Sequence, residues 1–326
     1  MILGHQRQIR YLERVLGKGT LAHAYLFHGP EGAGKKTVAL ALARAILCAK
    51  NTMPLGGCGT CEPCRLARLY ANPDLILLSR ERPLIAEDTK QEIGIRNIHE
   101  LQRLLGLSGW GNGLRAILID GAERLSRESQ SALLKILEEP RPGTVFVLIT
   151  ASPGTLLSTI VSRAVPIGFT ALRDADLDPL LEGIPQARRK ILLDLSERRP
   201  GILARLLEEP AFLKEELAAH TRFRALMHED LPEQFAFGDA MRRDPAALVP
   251  FLQFLVRQLR QDFLSAAVGG TLRGDSETSP RDERRAINLA GILDTVLERL
   301  ALAETTAVNR RLIADSTFIA LQTIHS

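Results

Sequence analysis

Two groups of residues carry chemistry by their type and spacing. The first is Gly29-Pro-Glu-Gly32-Ala-Gly34-Lys35-Lys36-Thr37, which follows an apolar run and leads into the helical pattern Val38-Ala-Leu-Ala-Leu-Ala-Arg44. Strand, glycine-rich loop and helix in that order make a phosphate-binding loop. The glycines let backbone N–H groups wrap phosphate oxygens, the helix N-terminus adds positive dipole, and Lys35 reaches the terminal phosphates. The pattern GxxxxGK[ST] is broken at its last place, where Lys36 replaces the hydroxyl that ligates Mg²⁺. Thr37 stands one residue too late, and a helix turns by about 100° per residue, so its hydroxyl points elsewhere unless the loop rearranges. The complement of such a loop is an apolar strand that ends in an acid, and Arg115-Ala-Ile-Leu-Ile-Asp120 supplies it. Asp120 acts on Mg²⁺ through water. Glu123 reads as a solvated acid at a helix start. ATP or ADP binding is expected here, with weak or no hydrolysis.

The second group is Cys48, Cys58, Cys61 and Cys64, which are all the cysteines of the chain. Two overlapping Cys-x2-Cys pairs and a fourth cysteine upstream let four thiolates converge on one tetrahedral ion, for which zinc is the natural choice. Four protein ligands leave no open position, so the expected role is a structural staple. It would hold a turn-rich loop from Gly56 to Arg65 against the helix that ends near Cys48. An iron–sulfur cluster is the rival reading of the same cysteines.

These groups need a scaffold. Short β-rich runs at Ala24 to His28, Leu75 to Leu78, Ala116 to Asp120, Val145 to Thr150 and Val165 to Phe169 alternate with helical patterns at 36–47, 95–105 and 126–139. Pro140 closes the last of these helices. Such alternation predicts a mainly parallel sheet covered by helices, an α/β domain over residues 1–168. Beyond Phe169 the strand signal stops, and prolines punctuate a helical pattern that divides at about Pro210. A polar loop near Gly269 to Arg284 is expected to be mobile. The apolar helices Phe251–Leu264 and Leu289–Leu302 fit a self-contained core and an oligomer surface equally well, because periodicity does not separate the two. His5, His23, His28 and His99 have no metal-ligand spacing, and Trp110 stands in a turn before a strand.

The 326 residues are 45% hydrophobic and 25% charged, as in globular proteins, and the net charge of +4 is too small to establish nucleic-acid binding. The longest apolar run, Val38 to Ala49, contains Arg44 and is too short to span a membrane. The first residues lack the apolar stretch of a signal peptide. A cytoplasmic protein without membrane contact is expected.

Taken together, these motifs resemble the bacterial clamp-loader subunits, a family of AAA+ proteins. The resemblance runs through the phosphate loop, the cysteine insertion after its helix, and Ala71-Asn-Pro-Asp74, which is similar to the family's His-Pro-Asp stretch. It continues through Ala132-Leu-Leu-Lys-Ile-Leu-Glu-Glu-Pro140, similar to the family's ALLKxLEEP segment, and Ser162-Arg163-Ala164, similar to its Ser-Arg-Cys motif. Residues 1–210 carry the specific motifs. Beyond them the likeness rests on helical pattern and on Val308-Asn309-Arg310-Arg311-Leu312.

The resemblance implies a AAA+ core at 1–168, a helical lid domain at 169–210 and an all-α collar domain for oligomerisation at 211–326. It implies DNA replication as the process and a hetero-pentameric ring with gamma/tau and delta subunits, acting on a sliding clamp and primer–template DNA. Arg163 takes the role of an arginine finger donated to a neighbour's ATP. In hydrolysing members a glutamate follows the strand-end aspartate, and here that residue is Gly121. With Lys36, this favours a delta-prime-type stator over a gamma/tau-type motor. Gly201 aligns with the lid's nucleotide-sensing arginine, with Arg198 or Arg199 as the nearest substitutes. Alternatives are a gamma-type ATPase using Thr37 and Glu123, a small-molecule phosphotransferase, and a zinc module that touches DNA through Arg65 and Arg68.

Overall fold

The computed structural model describes residues 2–50, 55–86, 92–107, 109–110, 113–226, 231–240, 248–268, 280–305 and 310–322. Most of the polar loop expected at 269–284, the residues Val308 and Asn309, and three residues of the turn around Trp110 lie outside them.

Five parallel strands form one sheet: β1 Ala24–His28, β2 Leu75–Ser79, β3 Arg115–Asp120, β4 Thr144–Thr150 and β5 Val165–Gly168, in the order β2-β3-β4-β1-β5. Every strand expected from the sequence is present within one residue at each end. A parallel strand is covered on both faces and therefore reads as a continuous apolar run, which is why these segments stand out.

Alternate residues divide between two cores. On one face Leu26, Leu78, Ile119 and Leu148 pack under α4 (Ile95–Gly106), α5 (Arg127–Glu138) and α6 (Ser158–Val161). On the other, Phe27, Leu77, Leu118 and Val147 pack under α1 (Gln6–Gly17), α2 (Lys35–Ile46) and α3 (Glu62–Arg68). Ser126 caps α5 by accepting the Ser129 N–H at 3.1 Å. Neither α1 nor α3 is legible as an element in the sequence. In particular, the turn-rich loop expected at 56–65 is helical from Glu62, with Pro63 in its first turn, where a missing N–H costs nothing.

Three helices follow: α7 Asp174–Leu181, α8 Gln186–Ser196 and α9 Pro200–Glu208. They belong to the same compact unit as the sheet, Met1–Glu208. The second unit, Glu209–Ser326, contains α10 Pro210–Leu226, α11 Leu231–Ala240, α12 Leu248–Val268, α13 Pro280–Thr305 and α14 Arg310–Gln322. Its core joins Leu252, Leu255 and Leu259 of α12 to Leu289, Ile292 and Val296 of α13. An aromatic cluster of Phe223, Phe237, Phe251 and Phe318 lies alongside. The apolar faces of α12 and α13 are thus spent within the chain, although Ile287, Leu297 and Leu302 remain exposed. No helix among the described residues is long and apolar enough to cross a membrane.

The Asn-Pro-Asp stretch is structural. Asp74 is buried, takes the Trp110 N–H on its carboxylate, and lies 3.4 Å from Arg115 Nε. The Arg115 guanidinium also donates to the carbonyls of Leu104, Leu105 and Leu107, so one buried cation ties β3 to the end of α4. The Trp110 ring itself is half exposed.

Candidate functional site: a phosphate cleft and a thiolate cluster

The loop after β1 and the end of β3 face each other across a cleft of about 340 Å³, at the carboxyl edge of the sheet where α/β folds place ligands. Gly32, Gly34, Lys35, Lys36, Thr37 and Asp120 all line it. Gly29 does not, but its carbonyl accepts a hydrogen bond from Lys35 Nζ at 2.5 Å, and that of Pro30 accepts a second at 2.8 Å. Helix α2 begins at Lys35, and its first intrahelical bond is Val38 N–H to the Gly34 carbonyl. The preceding N–H groups have no helical acceptor and form the anion-binding end of the helix. Burial pushes the Lys35 ammonium below its ordinary pKa, against the pull of Glu123, Asp120 and Glu31.

Lys36 does more than displace a hydroxyl. Its Nζ lies 2.9 Å from Asp120 Oδ2, an ion pair between the loop and the strand end that the sequence did not reveal. Strands β1 and β3 are separated by β4, a span of about 10 Å at two sheet spacings. The side chains of Lys36, in the first turn of α2, and Asp120, at the end of β3, close that span together, whereas a serine or threonine at 36 would leave room for an ion. Mg²⁺ requires near-octahedral oxygen ligation at about 2.0–2.1 Å. A donor-only ammonium on the aspartate that should hold the ion is incompatible with that geometry. The residues present fit a polyphosphate and do not fit its usual metal.

Glu123 stands in the first turn of a short 3-10 helix, Ala122–Arg124, an acid at a helix start as expected, and is only partly exposed. It lines the cleft with Oε2 buried and without a hydrogen-bond partner. The backbone turns sharply at Gly121 (φ 78°), which re-aims the chain so that a residue three places after the strand end looks back into the site.

Helix α9 closes the cleft from the other side. Gly201 N–H donates to the Gly32 carbonyl at 2.8 Å, and a Cβ on Gly201 would lie 3.0 Å from that oxygen, a tight contact that glycine avoids. Arg198 is turned onto Asp174 at 2.6 Å, while Arg199 reaches the Glu31 carbonyl at 3.2 Å. Beside the loop, a second cavity of about 260 Å³ is lined by Ile2, His5, Thr37, Leu180 and Pro200. The His5 ring donates from Nε2 to the Ala33 carbonyl at 2.6 Å and packs edge-on against Phe169. The acceptor is a carbonyl, so that nitrogen carries the proton.

Arg163 lies apart from the cleft. Its Nη1 donates to the Thr159 carbonyl at 3.0 Å, capping α6, and its Nη2 lies 2.9 Å from Glu138 Oε1 at the end of α5. Its side chain is 36% exposed.

The four thiols cluster beyond the other end of α2, about 18 Å along that helix from the phosphate loop. All four Sγ atoms lie within 4.8 Å of one another. Tetrahedral zinc at about 2.3 Å from each sulfur needs separations near 3.8 Å, so the donor set fits with a small contraction. Cys48 Sγ accepts the Cys58 N–H at 3.4 Å, and Cys58 Sγ accepts the Cys61 N–H at 3.3 Å, the bonds that steady thiolates. Gly57 (φ 70°) is required: a Cβ there would meet Cys64 Sγ at 2.7 Å and the Arg44 carbonyl at 2.8 Å.

The sheet order, the glycine loop after β1 and the acid ending β3 define a P-loop α/β protein. More narrowly, the chain belongs to the family described as DNA polymerase III, delta subunit, whose model matches residues 4–173. It is 34% identical over 183 residues to DNA polymerase III subunit delta' of Pseudomonas aeruginosa, covering 55% of this chain and 53% of that one. Against subunit delta' of Bacillus subtilis it is 32% identical over 178 residues, covering 54% and 50%. Against DNA polymerase III subunit tau of Escherichia coli it is 32% identical over 183 residues, covering 56% and 27%. The chain spans about half the length of the curated delta' relatives it matches.

Proposed function

We propose that this chain is a delta-prime-type subunit of a DNA polymerase III clamp loader, a stator whose own site holds nucleotide with little or no turnover. The observation that carries it is a pair of opposites. The cleft's aspartate is occupied by Lys36, while a half-exposed guanidinium, Arg163, stands outside the cleft with only an exposed glutamate and a carbonyl to hold it. An exposed ion pair of this kind is worth about 0–1 kcal/mol, so a phosphate on a neighbour can draw Arg163 away from Glu138 at small cost.

In this reading Gly32, Gly34, Lys35 and Lys36 hold the phosphates of ATP or ADP, and the apolar cavity beside His5 takes the base. Residues 1–168 are the AAA+ core, 169–210 the lid and 211–326 the collar. The collar seats the chain in a hetero-pentameric ring with gamma/tau and delta subunits, which opens a sliding clamp and places it on primed DNA in the cytoplasm. Cys48, Cys58, Cys61 and Cys64 hold a structural zinc ion. Arg163 neutralises charge on the phosphoryl group in the adjacent subunit's site.

The test is single-turnover ATP hydrolysis by the reconstituted complex with clamp and primed DNA. With Arg163→Ala, one site's share of the fast phase should slow by ~10³-fold or more, the worth of a trans arginine. An unchanged amplitude and rate would remove the trans role.

One observation favours a second reading, a gamma-type ATPase. Glu123 lines the cleft, one of its carboxylate oxygens buried and without a hydrogen-bond partner, and Thr37 lines it too. ATP turnover by the isolated chain separates the two, since the stator reading requires it to be slow.

A further inference from the structure

We infer that the phosphate cleft binds nucleoside di- and triphosphates without a divalent cation, the Lys36 ammonium standing in the place of the metal. This deepens the nucleotide reading given above and rests on it. A phosphate loop normally faces a polyphosphate with one lysine, a helix N-terminus and a Mg²⁺ whose ligands are the loop hydroxyl and, through water, the strand-end aspartate. Here the hydroxyl position is Lys36, and its Nζ is 2.9 Å from Asp120 Oδ2.

Three physical consequences follow from that contact. The aspartate's charge is already balanced, so it no longer recruits a divalent ion. The ammonium has no lone pair, so it cannot join a coordination shell, and any ion brought within reach of Asp120 meets it as a like charge. Lys36 is also 45% exposed, so the same nitrogen has donor hydrogens left over for a phosphate oxygen beside the loop. Lys35 needs only to exchange the Gly29 and Pro30 carbonyls for phosphate oxygens, and it then supplies the second fixed cation.

The ligand is therefore the free nucleotide polyanion, with no ion to charge the reacting phosphoryl group. A cleft of this kind retains nucleotide and turns it over slowly for a reason separate from the loss of a water-activating acid at Gly121. It also predicts that nucleotide occupancy of this subunit is insensitive to magnesium, while any hydrolysing neighbour depends on it.

The experiment is calorimetric titration of the full chain with ATP and with ADP, in buffer freed of divalent ions by resin and again at saturating Mg²⁺. Magnesium is omitted and not chelated, so that any metal held by the four cysteines stays in place. The two affinities should agree within about threefold, and Lys36→Thr should weaken binding at least about tenfold without magnesium and recover it when magnesium is added. Wild-type affinity that rises about tenfold or more with magnesium would overturn the inference while leaving the nucleotide reading intact. Heat in neither condition would overturn both. The wild-type comparison requires no variant, so a failure of Lys36→Thr to fold does not blunt it.

Discussion

At the scale of single residues, the informative side chains are those whose partners are far away in sequence. Lys36 and Asp120 are 84 positions apart and meet only because β4 sets the distance between β3 and the strand that leads into the phosphate loop. His5 reaches the Ala33 carbonyl across 28 positions and pins the segment before α1 to the phosphate loop. Burial holds the His5 imidazole below its ordinary pKa of 6.5, against the opposing effects of the Ala33 carbonyl and Asp176. The sign follows directly. On acidification the unfolded chain takes up this proton first, so the stability present above pH 6.5 is lost as pH falls through the lowered folded value, at no more than about 1.4 kcal/mol per pH unit. Thermal melts of Met1–Glu208 across pH 7.5 to 5 should show this decline. His5→Gln, which retains a donor for Ala33 but cannot titrate, should flatten the His5 share of it; equal slopes in the two proteins would show that the proton goes elsewhere.

At the scale of elements, a metal held by the four cysteines would do for α2 and α3 what a packed core does for the strands. Helix α3 is seven residues long and begins at a glycine- and cysteine-rich turn, too short to persist by itself. Its Cys64 thiol sits against the Arg44 carbonyl in the last turn of α2 and, with Cys48 just beyond that helix, makes a cross-link wherever a metal holds both. Elemental analysis should find one zinc per chain and no visible absorption of an iron–sulfur cluster. Stripping the metal should lower the melting temperature of the sheet unit by about 5–10 °C, the effect of removing a ligand held at a hundred times its Kd or more. A metal-free protein with an unchanged melt would end the staple reading.

The strands were legible because β1 to β4 are apolar runs covered on both faces, and α5 because Ser126 and Pro140 bracket it. Helix α1 escaped because its buried stripe is narrow, with Leu12 its sole fully buried residue. Helix α3 was hidden by the turn-forming residues around it. The cleft's composition is readable from motif spacing, but that Glu123 also lines it is not, because its direction depends on the backbone turn at Gly121, which spacing does not encode.

At the scale of the molecule, the chain divides into Met1–Glu208 and Glu209–Ser326, each with a core of its own. All the candidate chemistry lies in the first: the cleft, the thiolate cluster and Arg163. The second contributes an aromatic core in which Phe251, Phe254 and Phe318 are fully buried, while Ile287, Leu312 and Ile319 are well exposed. The assembly role proposed above falls on this second unit. Cutting between the units should therefore separate two properties that the intact chain combines. A fragment of residues 1–208 should fold, bind one zinc and bind nucleotide with the affinity of the full chain. It should nonetheless fail to co-elute with gamma/tau and delta subunits in size-exclusion chromatography, and adding Arg163→Ala to it should change nothing further in their ATPase. A fragment that joined the ring as the full chain does would move the seat of assembly into the sheet unit and leave the aromatic unit without its proposed role.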